Sequence, residues 1–131
     1  MIHIQNIDHV VFRVTDVDRV ARFYMDVLGA RFEQFQEHVP LYQLRVGTSL
    51  IDLVPVAETP AGHNVDHVCF RVLPWDEKQI LAHLFTHGIM AEVGSRYGAD
   101  GEGPSIYLED PEGNRLELKG PATSPPVTSP G

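Results

Sequence analysis

The stretch NIDHVVFRV at residues 6–14 returns as NVDHVCFRV at residues 64–72. Seven of the nine positions are identical, and the two changes, Ile7/Val65 and Val11/Cys69, are small apolar swaps. Each copy alternates in the manner of a β-strand, so its side chains divide between two faces. Val10, Phe12 and Val14 share one face; Ile7, His9, Val11 and Arg13 share the other. In the second copy Val68, Phe70 and Val72 oppose Val65, His67, Cys69 and Arg71. The Val/Phe/Val face suits packing against a helix, which leaves each histidine on the concave side of its sheet.

The echo continues downstream. After the first copy, Thr15 or Asp16 can cap a helix with Val17, Val20, Ala21, Tyr24, Val27 and Leu28 at helical spacing, closed by Gly29. After the second, Pro74 suits a first turn, Ile80, Leu81, Leu84 and Phe85 form an apolar stripe, and Gly88 closes it. Strands are predicted at about 31–37, 41–47 and 49–55, then at 90–96, 104–109 and 114–119. DPEGN (110–114) marks the last hairpin turn. The chain therefore reads as α+β, with two tandem βαβββ modules packed into an incomplete barrel-like sheet around a cleft. The first module covers 1–56, a linker 57–63 and the second module 64–120. The Pro/Ser/Thr-rich tail 121–131 has no core-forming pattern and reads as flexible.

The last strand of each module completes the concave side. SLIDLVP puts Asp52 opposite in facing to Ile51 and Leu53, and NRLELKG does the same for Glu117 against Leu116 and Leu118. Asp52 and Glu117 thus join His9 and His67 there. Carboxylates are rarely buried unless paired or metal-bound. Two histidines and two carboxylates suit one divalent first-row metal (Ni, Co, Zn, Mn or Fe) with open positions. His83 and His87, four apart on the second helix, form a possible metal pair of their own, but the apolar stripe leaves them solvent-facing, and they read as surface. Cys69 reads as a small buried packing residue with a secondary possibility of lining a pocket. GADGEGP (98–104) reads as a lid beside the site.

Composition narrows the function classes. The 131 residues carry 10 Lys+Arg against 18 Asp+Glu, a formal charge of −8. Such a surface repels nucleic acid and anionic membranes. One cysteine excludes an internal disulfide. No run approaches the ~20 apolar residues of a membrane span, and MIHIQNIDHV lacks the basic start and apolar core of a signal peptide, so a cytoplasmic protein is expected.

IDHVVFRVTDVDRVARFYMDVLGA and YLEDPEGNRLELKG resemble the first strand and helix and the last hairpin of the vicinal oxygen chelate superfamily. That group contains glyoxalase I, fosfomycin resistance enzymes, methylmalonyl-CoA epimerase, extradiol dioxygenases and bleomycin resistance proteins, and the chain is most similar to a small glyoxalase I-like member. The resemblance covers residues 3–120. It implies a metal on His9, Asp52, His67 and Glu117, a small-molecule substrate and a homodimer. It also implies proton transfer by Glu117 or Asp52 in a lyase or isomerase, with Tyr107, Ser105, Arg96 and Cys69 toward the substrate. Asp52 stands where glyoxalase-like members usually have glutamate and reaches less far. Epoxide opening, as in fosfomycin resistance, is the alternative: SRYGADGEGPSIYLEDPEGNRLE resembles its loop and Ser-x-Tyr strand, although Val11 replaces a pocket threonine and AEVGS lacks a lysine. Ring-opening dioxygenation ranks lower, because YGADGEG lacks the signature histidine. A metal-free drug-binding protein ranks last, given four candidate ligands.

Overall fold

The structure is a computed structural model that describes residues 3, 6–38, 40–59 and 61–125. The chain divides into two units, Met1–Asn64 and Val65–Gly131. Both are βαβββ modules, so the α+β tandem architecture expected from the repeat is the one adopted. The strands form two separate four-stranded mixed sheets.

The first unit runs β1 (His9–Val14), α1 (Val17–Asp26), β2 (Arg31–Gln36), β3 (Leu41–Val46) and β4 (Ser49–Pro55), with sheet order β1-β4-β3-β2. β1 and β4 are parallel; the other pairs are antiparallel. Asp16 rather than Thr15 caps α1, its side chain accepting from the Arg19 amide. Gly29, at φ +76°, ends it in a conformation that only glycine adopts cheaply. The helix buries Val20, Ala21, Phe23 and Tyr24 and lies on β3 and β4. Phe12 stacks on Tyr24, and Phe23 meets Tyr24 edge-on. The Phe12/Val14 face is therefore the core face, as the alternation predicts. Leu44, Ile51 and Leu53 complete that core. At the outer edge of β1, the Asn64 side chain accepts from the Arg13 amide (3.3 Å) and donates to the Arg13 carbonyl (3.2 Å). That residue, assigned by the repeat to the second module, belongs to the first unit.

The second unit runs β5 (Val68–Arg71), α2 (Glu77–Thr86), β6 (Glu92–Gly98), β7 (Gly101–Glu109) and β8 (Arg115–Lys119), with order β5-β8-β7-β6 and β5 parallel to β8. Its core holds Leu84, Ile106, Leu108, Leu116 and Leu118. The DPEGN turn is tied by one side chain: Asp110 Oδ1 accepts from the Glu112 and Asn114 amides, and Oδ2 accepts from Asn114 Nδ2.

Four local expectations are corrected here. Pro74 precedes α2 rather than opening it; Asp76 is the cap, because its carboxylate can satisfy the Gln79 amide. Phe85 is 81% exposed. Adjacent helical residues point about 100° apart, so with Leu84 turned inward Phe85 cannot follow. Segment 98–104 is not a loop but the tip of a β-ribbon, with Gly98 paired to Gly101 around Ala99–Asp100. It is held further by the Arg71–Asp100 ion pair (2.8 Å) and by Lys119 Nζ, which donates to the carbonyls of Arg96 and Gly103. The start of the tail is also engaged: the amides of Thr123 and Ser124 donate to the Glu102 carbonyl. A Cβ at Gly103 would come within 2.8 Å of the Pro121 carbonyl, so the bare backbone there admits the strap. The remainder of the tail, 126–131, lies outside the described residues.

Phe12→Ala is expected to lower the unfolding free energy by about 3–5 kcal/mol in urea titration. Phe85→Ala should change it by less than about 0.5 kcal/mol, as for an ordinary surface position. Equal losses would mean that Phe85 is a core residue after all.

Candidate functional site

Each carboxylate reaches its place through the parallel strand pair. In the first unit, Val11 pairs with Asp52, Asp52 with Gln43, and Gln43 with Gln34. In the second, Cys69 pairs with Glu117, Glu117 with Tyr107, and Tyr107 with Glu92. The two rows correspond position by position: each carboxylate sits beside the residue two places after its histidine. The equivalence of Asp52 and Glu117 expected from the sequence thus holds at the level of register.

Both carboxylates are buried, Asp52 at 3% and Glu117 at 5% exposure, and they are satisfied differently. Gln43 Nε2 donates to Asp52 Oδ1 at 3.1 Å. Gln43 Oε1 accepts from both Gln34 and Gln36, at 2.7 and 2.9 Å. Two donors on one amide oxygen fix which end of Gln43 faces the carboxylate. Glu117 Oε2 instead accepts from Ser105 Oγ at 2.7 Å, and Oε1 lies 3.4 Å from His67 Nε2.

The histidines share a support that the sequence reading missed. His9 Nδ1 lies 2.7 Å from Asp8 Oδ2, and His67 Nδ1 lies 2.6 Å from Asp66 Oδ1. A carboxylate on Nδ1 holds the proton there and leaves the Nε2 lone pair available, the arrangement that orients metal-binding imidazoles. The signal was in the repeat itself, since both copies read Asp-His. The Asp8 hydrogen bond is also the main reason that the His9 pKa stands above its usual value, with the charge of Asp52 adding a smaller push. Sequence reading likewise missed the Gln34/Gln36/Gln43 chain, whose only trace was glutamines at alternating strand positions.

The expected substrate-facing residues of the second unit fall on the Glu117 face. Register aligns Arg71, Lys119, Ser105 and Gly94 in the row beside the Glu117 row, and Arg96 pairs with Gly103 in the next. Tyr107 meets the His67 ring edge-on, and the guanidiniums of Arg96 and Arg115 lie over its ring at 5.6 and 4.6 Å. Desolvation, then the Glu117 charge, raises the Tyr107 pKa, so its phenol keeps its proton at neutral pH. Cys69 is exposed on this face, not a buried packing residue as expected, because strand alternation turns it with His67. Partial desolvation of its sulfur and the neighbouring Glu117 push the thiol up to about 11. It is not a thiolate nucleophile near pH 7.

One donor pair, His67 and Glu117, fits a divalent metal in chemistry and spacing. Two ligands about 2.0–2.2 Å from an ion at a tetrahedral angle stand about 3.4 Å apart, the separation of His67 Nε2 and Glu117 Oε1. His67 and Glu117 are brought to that separation in the second unit, whereas in the first Asp52 acts on His9 through its charge. Among the described residues of either unit, no group of three or more His, Cys, Asp or Glu converges on a metal position.

The family model for the Glyoxalase/Bleomycin resistance protein/Dioxygenase superfamily matches residues 6–118. The chain belongs to that superfamily. A curated relative within reach of this glyoxalase-superfamily chain is virulence protein STM3117 of Salmonella typhimurium, 30% identical over 122 residues, 88% of this chain and 83% of that protein. Its crystal structure superposes with a TM-score of 0.78 at 29% identity, covering 92% of this chain and 100% of that one. Two more distant structures share the fold. The fosfomycin resistance protein FosX of Listeria monocytogenes gives a TM-score of 0.72 at 17% identity over 89% of this chain and 91% of its own. Lactoylglutathione lyase of Agrobacterium tumefaciens gives 0.66 at 21% identity over 88% and 92%. No helix among the described residues is long and apolar enough to cross a membrane.

Asp8→Asn is expected to lower the His9 pKa toward 6.5, read from the ring-proton shifts in an NMR pH titration. The sign follows from the hydrogen bond: Asp8 stabilises the imidazolium, and a neutral amide does so far less. An unchanged midpoint would remove Asp8 from the site.

Proposed function

We propose that this glyoxalase-superfamily chain is a metal-dependent lyase or isomerase acting on a small molecule with oxygens on neighbouring carbons. The observation that carries the proposal is the paired His–carboxylate arrangement, above all His67 Nε2 at 3.4 Å from Glu117 Oε1 with Nδ1 tied to Asp66. His67 and Glu117 are the ligands proposed in the second unit, and His9 and Asp52 are the corresponding residues of the first. Lewis-acid polarisation of two adjacent substrate oxygens is the chemistry that a divalent ion held by these residues supplies.

The remaining work belongs to the side chains. Glu117, steadied through Oε2 by Ser105, would act as the base through Oε1 when that oxygen is not engaged with the ion. It takes the proton from the hydroxyl-bearing carbon beside the carbonyl; the C–H pair forms a carbon–carbon double bond as the carbonyl π pair moves onto its oxygen. Glu117 returns the proton to the former carbonyl carbon while the hydroxyl proton passes to the other oxygen, which leaves substrate and product isomeric. Tyr107 keeps its phenolic proton, which it would donate to a substrate oxygen. Asp52, held by Gln43, is the corresponding carboxylate of the first unit.

Epoxide opening is the second reading. The shared face of Tyr107, Arg96 and Glu117 favours it, since a phosphonate or carboxylate on an epoxide would meet phenol and guanidinium donors there. Expression of the chain would then protect cells from fosfomycin.

Elemental analysis of protein purified without chelator should find a divalent metal in the wild type and its loss in Glu117→Gln. Metal-loaded wild type should exchange a substrate carbon-bound proton with deuterium from solvent on a 2-hydroxy-carbonyl or hemithioacetal, and Ser105→Ala should slow the exchange about 10-fold or more, the scale of removing an outer support of a ligand. Failure to take up any of Mn, Fe, Co, Ni or Zn would end the metalloenzyme proposal.

A further inference from the structure

His83 lies in the last turn of α2 and His87 is the C-cap that follows it. They are four apart, the spacing that places two helical side chains on one face in adjacent turns. Both are exposed, and their rings face each other with centroids 4.8 Å apart at an interplanar angle of 65°. Rings at that separation can bring one nitrogen each to a common ion, at about 2.0–2.1 Å from both.

Three further features favour a cation at this spot. His83 is in the last turn of the helix and His87 is its C-cap, so the negative end of the helix dipole lies beneath them. The Thr86 hydroxyl donates to the His83 carbonyl and stiffens this turn. The chain's net charge of −8 raises the local concentration of cations generally.

We propose that His83 and His87 form a second, surface-exposed metal site, a bidentate imidazole clamp for a borderline divalent ion. By the affinity order of nitrogen ligands it takes Cu²⁺ most tightly, with Ni²⁺ and Zn²⁺ weaker and Mg²⁺ or Ca²⁺ not at all. Two protein ligands leave coordination positions for water or for a donor from another molecule. The clamp forms only when α2 is helical, so the ion also stabilises that helix.

The test titrates Cu²⁺, then Zn²⁺, into the wild type and into His83→Gln/His87→Gln, with bound metal measured after equilibrium dialysis. The wild type should bind an additional ion per chain that the double variant does not. Its Cu²⁺ should show nitrogen hyperfine splitting by electron paramagnetic resonance that the variant loses. Either single substitution should weaken that ion at least about 10-fold, the loss that even an outer partner of a ligand causes. Equal uptake and equal spectra in wild type and double variant would overturn the clamp. Both side chains are exposed, so the double variant is expected to fold, which its circular dichroism checks. The outcome is also independent of the His67–Glu117 face: metal lost there through Glu117→Gln leaves the helix site as it was.

Discussion

A carboxylate in the middle of a sheet is expensive unless hydrogen-bond donors or a cation meet it. Asp52 and Glu117 are both placed in that position, and much of the polar structure exists to satisfy them. In the first unit three glutamines on two strands are organised end to end, so that one amide faces Asp52. In the second, a buried serine hydroxyl from β7 takes one oxygen of Glu117, and an imidazole faces the other. The apolar faces of the same strands can then be given wholly to the core, with Phe12, Ile51, Leu53, Leu116 and Ile106 turned the other way.

The two halves answer one constraint with different chemistry. A carboxylate bound by an amide in a relay of amides is locked. One bound by a hydroxyl keeps an imidazole beside its second oxygen and a phenol and a thiol in its own cross-strand row. The fold accommodates both arrangements because its framework does not itself dictate the chemistry of the polar face.

Much of this was legible in the chain. The repeated NIDHVVFRV/NVDHVCFRV alternation separates core face from polar face without any structural input, and SLIDLVP and NRLELKG place the carboxylates by the same rule. Strand alternation has a period of two and tolerates no ambiguity once one face is apolar. Failures came where local sequence underdetermines the outcome. Pro74 is compatible with a first helical turn, but the cap went to Asp76 because a side-chain acceptor was there to use. Leu84 and Phe85 compete for one buried direction, and only packing decides between them. Glycines in 98–104 suggest a loop, yet the same residues let β6 and β7 continue to a tight turn. Asp8 and Asp66 were overlooked for a different reason: a residue adjacent in sequence to a histidine normally points away from it, and only the end of the strand lets the two side chains meet.

Asn64 carries a consequence of another sort. β1 is an edge strand, and exposed edges can recruit strands from other molecules. The Asn64 amide reads both the N–H and the C=O of Arg13, as a neighbouring strand would, from a single side chain. The β1 edge is thereby occupied at Arg13, and an incoming chain would have to displace a local partner before it could extend the sheet there. One residue of the second repeat thus acts as a guard against aggregation of the first.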